Sequence, residues 1–342
     1  MPGPYNGIRT QKGGRTTERT GILPLFGGLA LFLFGMDRMS EALQQAAGER
    51  LRRALAALTR TPLTGALAGM VVTAVMQSSS ATTVMVIGFV SAGLLELPQA
   101  VAVIFGANIG TTVTAQLLAF RVEEMLGLVL FGGFFLCAVA RTKRGRQMGT
   151  AVFSFGLLFA GMEQIQSVVE PLALRPEFEA WMALVREKPL WGLLLGLGMT
   201  LVVQSSSATI GVLQGVARQA GPDGVHSLLG LAGAVPVLLG DNVGTTITAI
   251  LAAAGGTRDA KRAAAAHCCF NLSGSLVCLL ALPWFVRLVE LLPPEGEELE
   301  IIARQIANAH TLFNALCTLI WLPLTPLMVR LVTTLVPEKR TE

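Results

Sequence analysis

The hexapeptide Gln77-Ser78-Ser79-Ser80-Ala81-Thr82 recurs unchanged as Gln204-Ser205-Ser206-Ser207-Ala208-Thr209. Each serine hydroxyl can donate, accept or cap a helix start. Each glutamine adds a carbonyl oxygen, a usable hard ligand for a sodium-like ion. Where a chain turns back at such a motif, the first arm ends in unpaired carbonyls that favour a cation, and the second opens with free N–H groups that favour an anion. A second pair follows the first: Asn108-Ile109-Gly110-Thr111-Thr112-Val113-Thr114-Ala115 returns as Asn242-Val243-Gly244-Thr245-Thr246-Ile247-Thr248-Ala249. Asn and Gly disfavour helix interiors and threonine supplies more oxygens, so these segments are expected to break the helices that carry them.

What is missing around these motifs limits the chemistry as much as what is present. No Lys or Arg occurs from Thr61 to Phe120, so an anion bound there must be neutralised by something other than a side-chain cation, for which a co-bound metal cation is the natural candidate. Asp241 is the one carboxylate inside a motif and replaces Ala107 of the first copy; it reads as a stronger cation ligand in the second copy or as a structural cap. Asp37 and Glu163, at the ends of two similar apolar segments, read as interfacial and solvated. A third pattern, Ala-His-x-x-Phe-Asn, occurs at Ala266 to Asn271 and Ala309 to Asn314. Histidine beside serine raises an intramembrane hydrolase, but no Gly-x-Ser-x-Gly elbow is present and a nucleophile needs to exist only once. The expectation is no enzyme, with His267 and His310 hydrogen-bonding between helices beside the site.

The elements that must position these residues are membrane-length. Charged residues make up 14% of the 342 and apolar ones 52%, with a mean hydropathy of +0.61; a soluble domain carries about 25% charged residues. Residues 61–95, 97–120, 189–217 and 263–286 carry no charge, and a spanning helix needs roughly 20 such positions. This composition predicts an all-α polytopic membrane protein. The net charge of +4 is carried by short loops, where membrane topology accounts for it and nucleic-acid binding does not. The five cysteines, Cys137, Cys268, Cys269, Cys278 and Cys317, lie in apolar runs without metal-site spacing and read as buried free thiols.

Leu31 to Asp37 is echoed by Leu157 to Glu163, which argues against reading the first apolar run as a removable leader. Three matched motifs in one order divide the chain into a tail of residues 1–20, expected to be disordered, a first repeat 21–148 and a second repeat 149–290. A further transmembrane segment follows over 300–336. Each Gln-Ser-Ser-Ser lies near the middle of its charge-free run. Arms of about 15 residues rise only about 22 Å, against a hydrocarbon core of about 30 Å, so 61–95 and 189–217 are expected to be re-entrant hairpins, with broken helices at 97–120 and 225–254. Loop charge supports this: with hairpins that do not cross, fifteen Lys and Arg fall inside and seven outside, as the positive-inside rule requires. The four basic residues of the tail stand against it. Three crossings between equivalent points make the two repeats inverted, the architecture of secondary transporters.

The paired motifs resemble the type II sodium-phosphate cotransporters, whose bacterial members share two Gln-Ser-Ser-Ser hairpins. The resemblance covers about residues 22–330, through Gln77 to Thr82, Gly106 to Thr112, Gln204 to Thr209, Gly240 to Thr246 and Ala266 to Asn271. It implies sodium-driven uptake of inorganic phosphate across the cell (inner) membrane, with a cytoplasmic C-terminus, no cofactor, and a homodimer among the assemblies left open. By this resemblance Ser78, Ser79, Ser80, Ser205, Ser206 and Ser207 face phosphate. Gln77, Thr82, Asn108, Thr111, Thr112 and Asn242 complete the expected anion site. Gln204, Ser205, Thr245 and Thr248 form a sodium site, to which Asp241 is added here. Relatives commonly carry a small residue at the position of Asp241, and many append a helical domain resembling the phosphate regulator PhoU, which is expected to be absent. A passive channel, or a transporter of another oxyanion on the same frame, remains the alternative.

Overall fold

A computed structural model describes residues 22–47, 59, 61–120 and 125–338; the expected disordered tail and much of the first basic loop lie outside them. The described residues are nearly all helical, and fifteen helices are resolved among them. Four helical stretches are long and apolar enough to cross a membrane, and a fifth span exists if one bent pair is counted.

The first repeat opens with α1 (Ile22–Ala47), then α2 (Pro62–Met76), α3 (Ser79–Ser91), α4 (Leu97–Leu118) and α5 (Leu126–Val139). The second repeats that order with α6 (Lys143–Ala173), a short α7 (Pro176–Glu187), α8 (Pro189–Val203), α9 (Ser206–Ala217), α10 (Gly230–Gly244) and α11 (Thr246–Ala253). After these come α12 (Arg258–Leu280), α13 (Leu282–Glu290), α14 (Glu298–Trp321) and α15 (Thr325–Leu335).

Each Gln-Ser-Ser-Ser motif joins two short helices. Proline opens α2 and α8 within their first turn, where its missing N–H costs nothing. Gln77 and Gln204 end them in the left-handed region, at φ 54° and 56°. Ser78 and Ser205 then start α3 and α9 as N-caps, accepting from Ala81 N–H at 3.1 Å and Ala208 N–H at 3.3 Å. The chain folds back at each motif. Nine residues of straight helix would advance about 13.5 Å, yet the Thr73 and Thr82 hydroxyls meet at 2.9 Å and those of Thr200 and Thr209 also at 2.9 Å.

Glycine lets the arms lie against the central helices. A Cβ on Gly69 or Gly106 would strike the carbonyl of Val103 or Ala66, and one on Gly196 or Gly240 would strike that of Val237 or Leu193. Such small-residue contacts are how helices pack closely in lipid. As a result α4 and the α10–α11 stretch are the most enclosed spans, with 78% and 72% of their most apolar windows buried. The homologous helices α1 and α6 pack on each other through Phe32, Met36, Leu158, Phe159 and Met162.

The structure corrects four expectations. The helix expected to break over 97–120 is continuous from Leu97 to Leu118. Its partner over 225–254 begins at Gly230 and is interrupted once, at Thr245 inside the motif, between α10 and α11, although Thr245 keeps a φ of −59° and ψ of −23°. The polar side chains bond their own helix instead of breaking it: Asn108 and Asn242 Nδ2 donate to Ile104 O and Leu238 O at 2.9 Å, and Thr112 and Thr246 hydroxyls to Ile109 O and Val243 O. The propensity penalty, under about 1 kcal/mol per residue, is outweighed by packing.

The segment expected as one span over 300–336 is two helices bent by 88°. Pro323 cannot donate to the helix and clashes with the carbonyl four residues before it. Asp37 and Glu163 lie within α1 and α6 and do not end them. Of the five free cysteines, Cys278 and Cys317 are buried and the other three half-buried.

Candidate functional site

The two turns converge. A cavity of about 130 Å³ is lined by Gln77, Ser78, Ser79 and Ser80 from the first motif, Gln204, Ser205, Ser206 and Ser207 from the second, Thr111 of α4, and Met36, Asp37 and Ser40 of α1. Two hexapeptides that lie far apart in the chain therefore share one small polar chamber. Among the described residues nothing basic lines it, so an anion there meets hydroxyls, amides and the starts of α3 and α9, with the Asp37 carboxylate on the same wall. Two helix N-termini with serine caps make a ready anion site.

The remaining expected residues sit behind this wall. Thr82 receives the Thr73 hydroxyl and gives its own to Ser78 O at 3.1 Å. Asn108, Thr112 and Asn242 are buried and committed to their own helices. Each asparagine Oδ1 then accepts from a histidine: His267 Nε2 lies 3.2 Å from Asn108 Oδ1, and His310 Nε2 lies 3.3 Å from Asn242 Oδ1. These histidines belong to α12 and α14, so the repeated Ala-His-x-x-Phe-Asn pattern docks one helix on each central span. Asn271 and Asn314 bond back to the carbonyls of those same histidines at 3.0 Å.

The residues expected to hold sodium divide. Gln204 and Ser205 line the chamber. Thr245 donates to Asp241 O at 2.9 Å, and Thr248 reaches across to the first motif, donating to Ser80 Oγ at 3.2 Å as well as to Thr245 O. Asp241 is fully buried, with Oδ1 at 2.6 Å from the Thr200 hydroxyl and Oδ2 without a partner among the described residues. Thr200 also lies 2.9 Å from Thr209, so the carboxyl is stacked directly behind the second turn.

Three lining residues were not among the sequence candidates: Met36, Asp37 and Ser40. Ser40 donates to Met76 O at 2.6 Å, capping the carbonyl end of α2. The duplicated Gly-Met-acid segment was the available signal for α1, but a motif shows that a segment matters without showing which wall it forms.

A match to known proteins covers most of the chain. The Na+/Pi-cotransporter family model fits residues 31–167 and 169–315, one match to each half. The chain belongs to the Na+/Pi-cotransporter family. It is accordingly a multi-pass membrane protein of a phosphate- and ion-transporting family. The transporter is 34% identical over 275 residues to the uncharacterized protein YqeW of Bacillus subtilis (strain 168), covering 80% of this chain and 87% of that one. It is 28% identical over 258 residues to YjbB of Escherichia coli (strain K12), whose name describes a proposed inorganic phosphate export protein. That match covers 75% of the transporter and 46% of the relative, so the chain spans about half of YjbB. A shorter stretch of 97 residues is 38% identical to the sodium-dependent phosphate transport protein 2A of Rattus norvegicus, covering 28% of this chain and 15% of that protein. No solved structure matches the transporter.

Proposed function

We propose that this chain is a secondary active transporter that moves inorganic phosphate together with sodium across the cell membrane by alternating access. The observation that carries the reading is the single chamber lined by both Gln-Ser-Ser-Ser turns and, among the described residues, by no basic side chain. Phosphate fits it because serine hydroxyls and the N-termini of α3 and α9 offer donors to several oxygens at once. Those donors are dipoles and leave the anion's charge uncompensated. Burying such a charge costs several kcal/mol even after relaxation, so a cation must enter with it, and sodium is the cation in the name of the mammalian relative. Gln204 and Ser205 supply oxygens at the chamber, with Thr245, Thr248 and Asp241 as the oxygen-bearing layer behind them; Ser78 to Ser80, Ser206, Ser207 and Thr111 take the phosphate side.

In this reading the two helix–turn–helix pairs are re-entrant hairpins, and the two homologous halves are inverted repeats whose relative rocking opens the chamber to either face. Coupling fixes stoichiometry and leaves direction to the gradients, so export, as in the name of the E. coli relative, and uptake are runs of one cycle in opposite senses. The test is equilibrium binding of radiolabelled phosphate to the purified protein in sodium and in choline buffer. Tighter phosphate binding in sodium, with phosphate tightening sodium by the same factor, is the expected result. Equal binding in both buffers would sink the coupling.

A further inference from the structure

Asp37 is the one ionisable residue among the described residues that line the chamber, and it is exposed. Its neighbours on α1 fix its place. Ser40, one turn on, caps Met76 O at the end of α2, while Met36 Sδ lies 3.9 Å from Ser205 Oγ at the other turn. Asp37 therefore stands on the wall between the two turns. Its carboxylate makes no hydrogen bond or ion pair with any described residue. Arg38 beside it is turned to Glu41 at 2.6 Å and lies over the Phe34 ring.

A carboxylate on the wall of an anion chamber is a liability unless something positive sits between the two charges. Carboxylate, hydroxyl and glutamine carbonyl oxygens together are the hard donor set that suits a sodium-like ion. The second half repeats the arrangement. Met36, Asp37 and Ser40 correspond by sequence to Met162, Glu163 and Gln166, and these three, with Leu126 and Phe159, enclose a second cavity of only about 10 Å³. Both halves thus place an exposed acid at the same point of their first helix, Asp37 beside the larger chamber and Glu163 beside the smaller cavity.

We propose that Asp37 is a cation ligand of the chamber, holding a sodium-sized monovalent ion between its carboxylate and the hydroxyls of the two turns, so that the anion binds against that ion. The inference rests on the phosphate reading and adds the side chain through which the cation is recognised. It is tested with the purified full-length chain, measuring radiolabelled phosphate binding across a sodium titration and radiolabelled sodium binding without phosphate. Asp37→Asn should raise the sodium concentration for half-maximal phosphate binding about tenfold or more, the scale of one lost charge-assisted contact. It should weaken sodium binding without phosphate in the same proportion, and saturating sodium should recover most of the phosphate binding. A sodium dependence within about twofold of the native chain overturns the assignment. So does tighter phosphate binding by Asp37→Asn at low sodium, which marks a purely repulsive gate. If Asp37→Asn is not recovered as a folded protein by size exclusion, Asp37→Ser is read by the same criteria. A native chain indifferent to sodium defeats the phosphate–sodium reading itself, whereas native dependence with an unaltered Asp37→Asn defeats the Asp37 assignment alone.

Discussion

The turns at Gln77 and Gln204 share a hexapeptide and, at ψ 25° in both, nearly the same backbone, yet they are held differently. Gln77 is 5% exposed; its Nε2 donates to Ala74 O, and its Oε1 accepts the Thr114 hydroxyl at 2.9 Å. Gln204 is exposed and makes no such side-chain bonds. Thr248, the counterpart of Thr114, reaches instead to Ser80 of the first turn. Behind the turns Ala107 of the first half stands at the position that Asp241 takes in the second. Local sequence sets the turn, and its surroundings decide whether the turn is clamped or free to bind. The first half serves as the fixed wall of the chamber, and the second carries the uncommitted oxygens and the extra carboxyl.

The largest difference should appear when each glutamine is cut back. Gln77→Ala leaves the buried Thr114 hydroxyl without its acceptor, a loss of about 1–3 kcal/mol, which thermal unfolding in detergent should register as a clear fall in Tm. Gln204→Ala, at an exposed site, should hold stability within about 0.5 kcal/mol while weakening sodium-dependent phosphate binding. Equal loss of stability in the two variants would mean that the asymmetry has no energetic weight.

Asp241→Ala makes the second half resemble the first, and its effect should be intermediate. A buried carboxyl with one oxygen unpartnered contributes little net stability, and replacing such a group is often neutral or favourable. Unfolding temperature should therefore hold or rise. Sodium affinity should fall about tenfold, on the scale of a lost charged ligand, and phosphate affinity at saturating sodium should fall less. A fall in both affinities by the same factor would place Asp241 on the phosphate side or in the packing.

The smallest effect lies in the loops that lead from each turn pair to the central helix. In the first half α3 passes to α4 by a short turn over residues 92–96; in the second α9 passes to α10 by a longer loop in which Ala220 and Ser227 pair as an isolated bridge. There Asp223 accepts from the backbone N–H groups of His226 and Val225 at 2.9 and 3.0 Å and meets the His226 ring at 2.6 Å. The backbone N–H of His226 is the main influence holding the Asp223 carboxyl below its usual range, and the hydrogen bond to Asp223 is what lifts the His226 imidazole above its own. A raised folded-state value means the pairing is fully present below the ordinary histidine range and is lost as pH climbs through the raised value. Amide-exchange protection, taken relative to the intrinsic rate at each pH, should fall at residues 221–227 across that window and hold at 92–96. Protection that holds in both loops would show that the pair orders nothing.

How much of this was legible beforehand differs by residue. The paired hexapeptides, their turns and the absence of cationic side chains could be read directly, because repetition and charge are properties of the string. The first Asn-x-Gly-Thr-Thr segment misled, since helix propensity is a local quantity and the close approach of Gly106 to Ala66 is not. Asp37 was visible as half of a repeated Gly-Met-acid segment and is exposed, but that this exposed acid also lines the chamber could not be read in one dimension. Hydrophobic run length, repeat order and motif chemistry come from covalent neighbours and composition, and these by themselves determined a helical membrane protein with two related halves. Which serines meet, which glutamine is clamped, which asparagine is held by a distant histidine and which acid faces the chamber depend on contacts between residues tens to hundreds of positions apart. Only helix packing brings such residues together, and only the tertiary structure decided them.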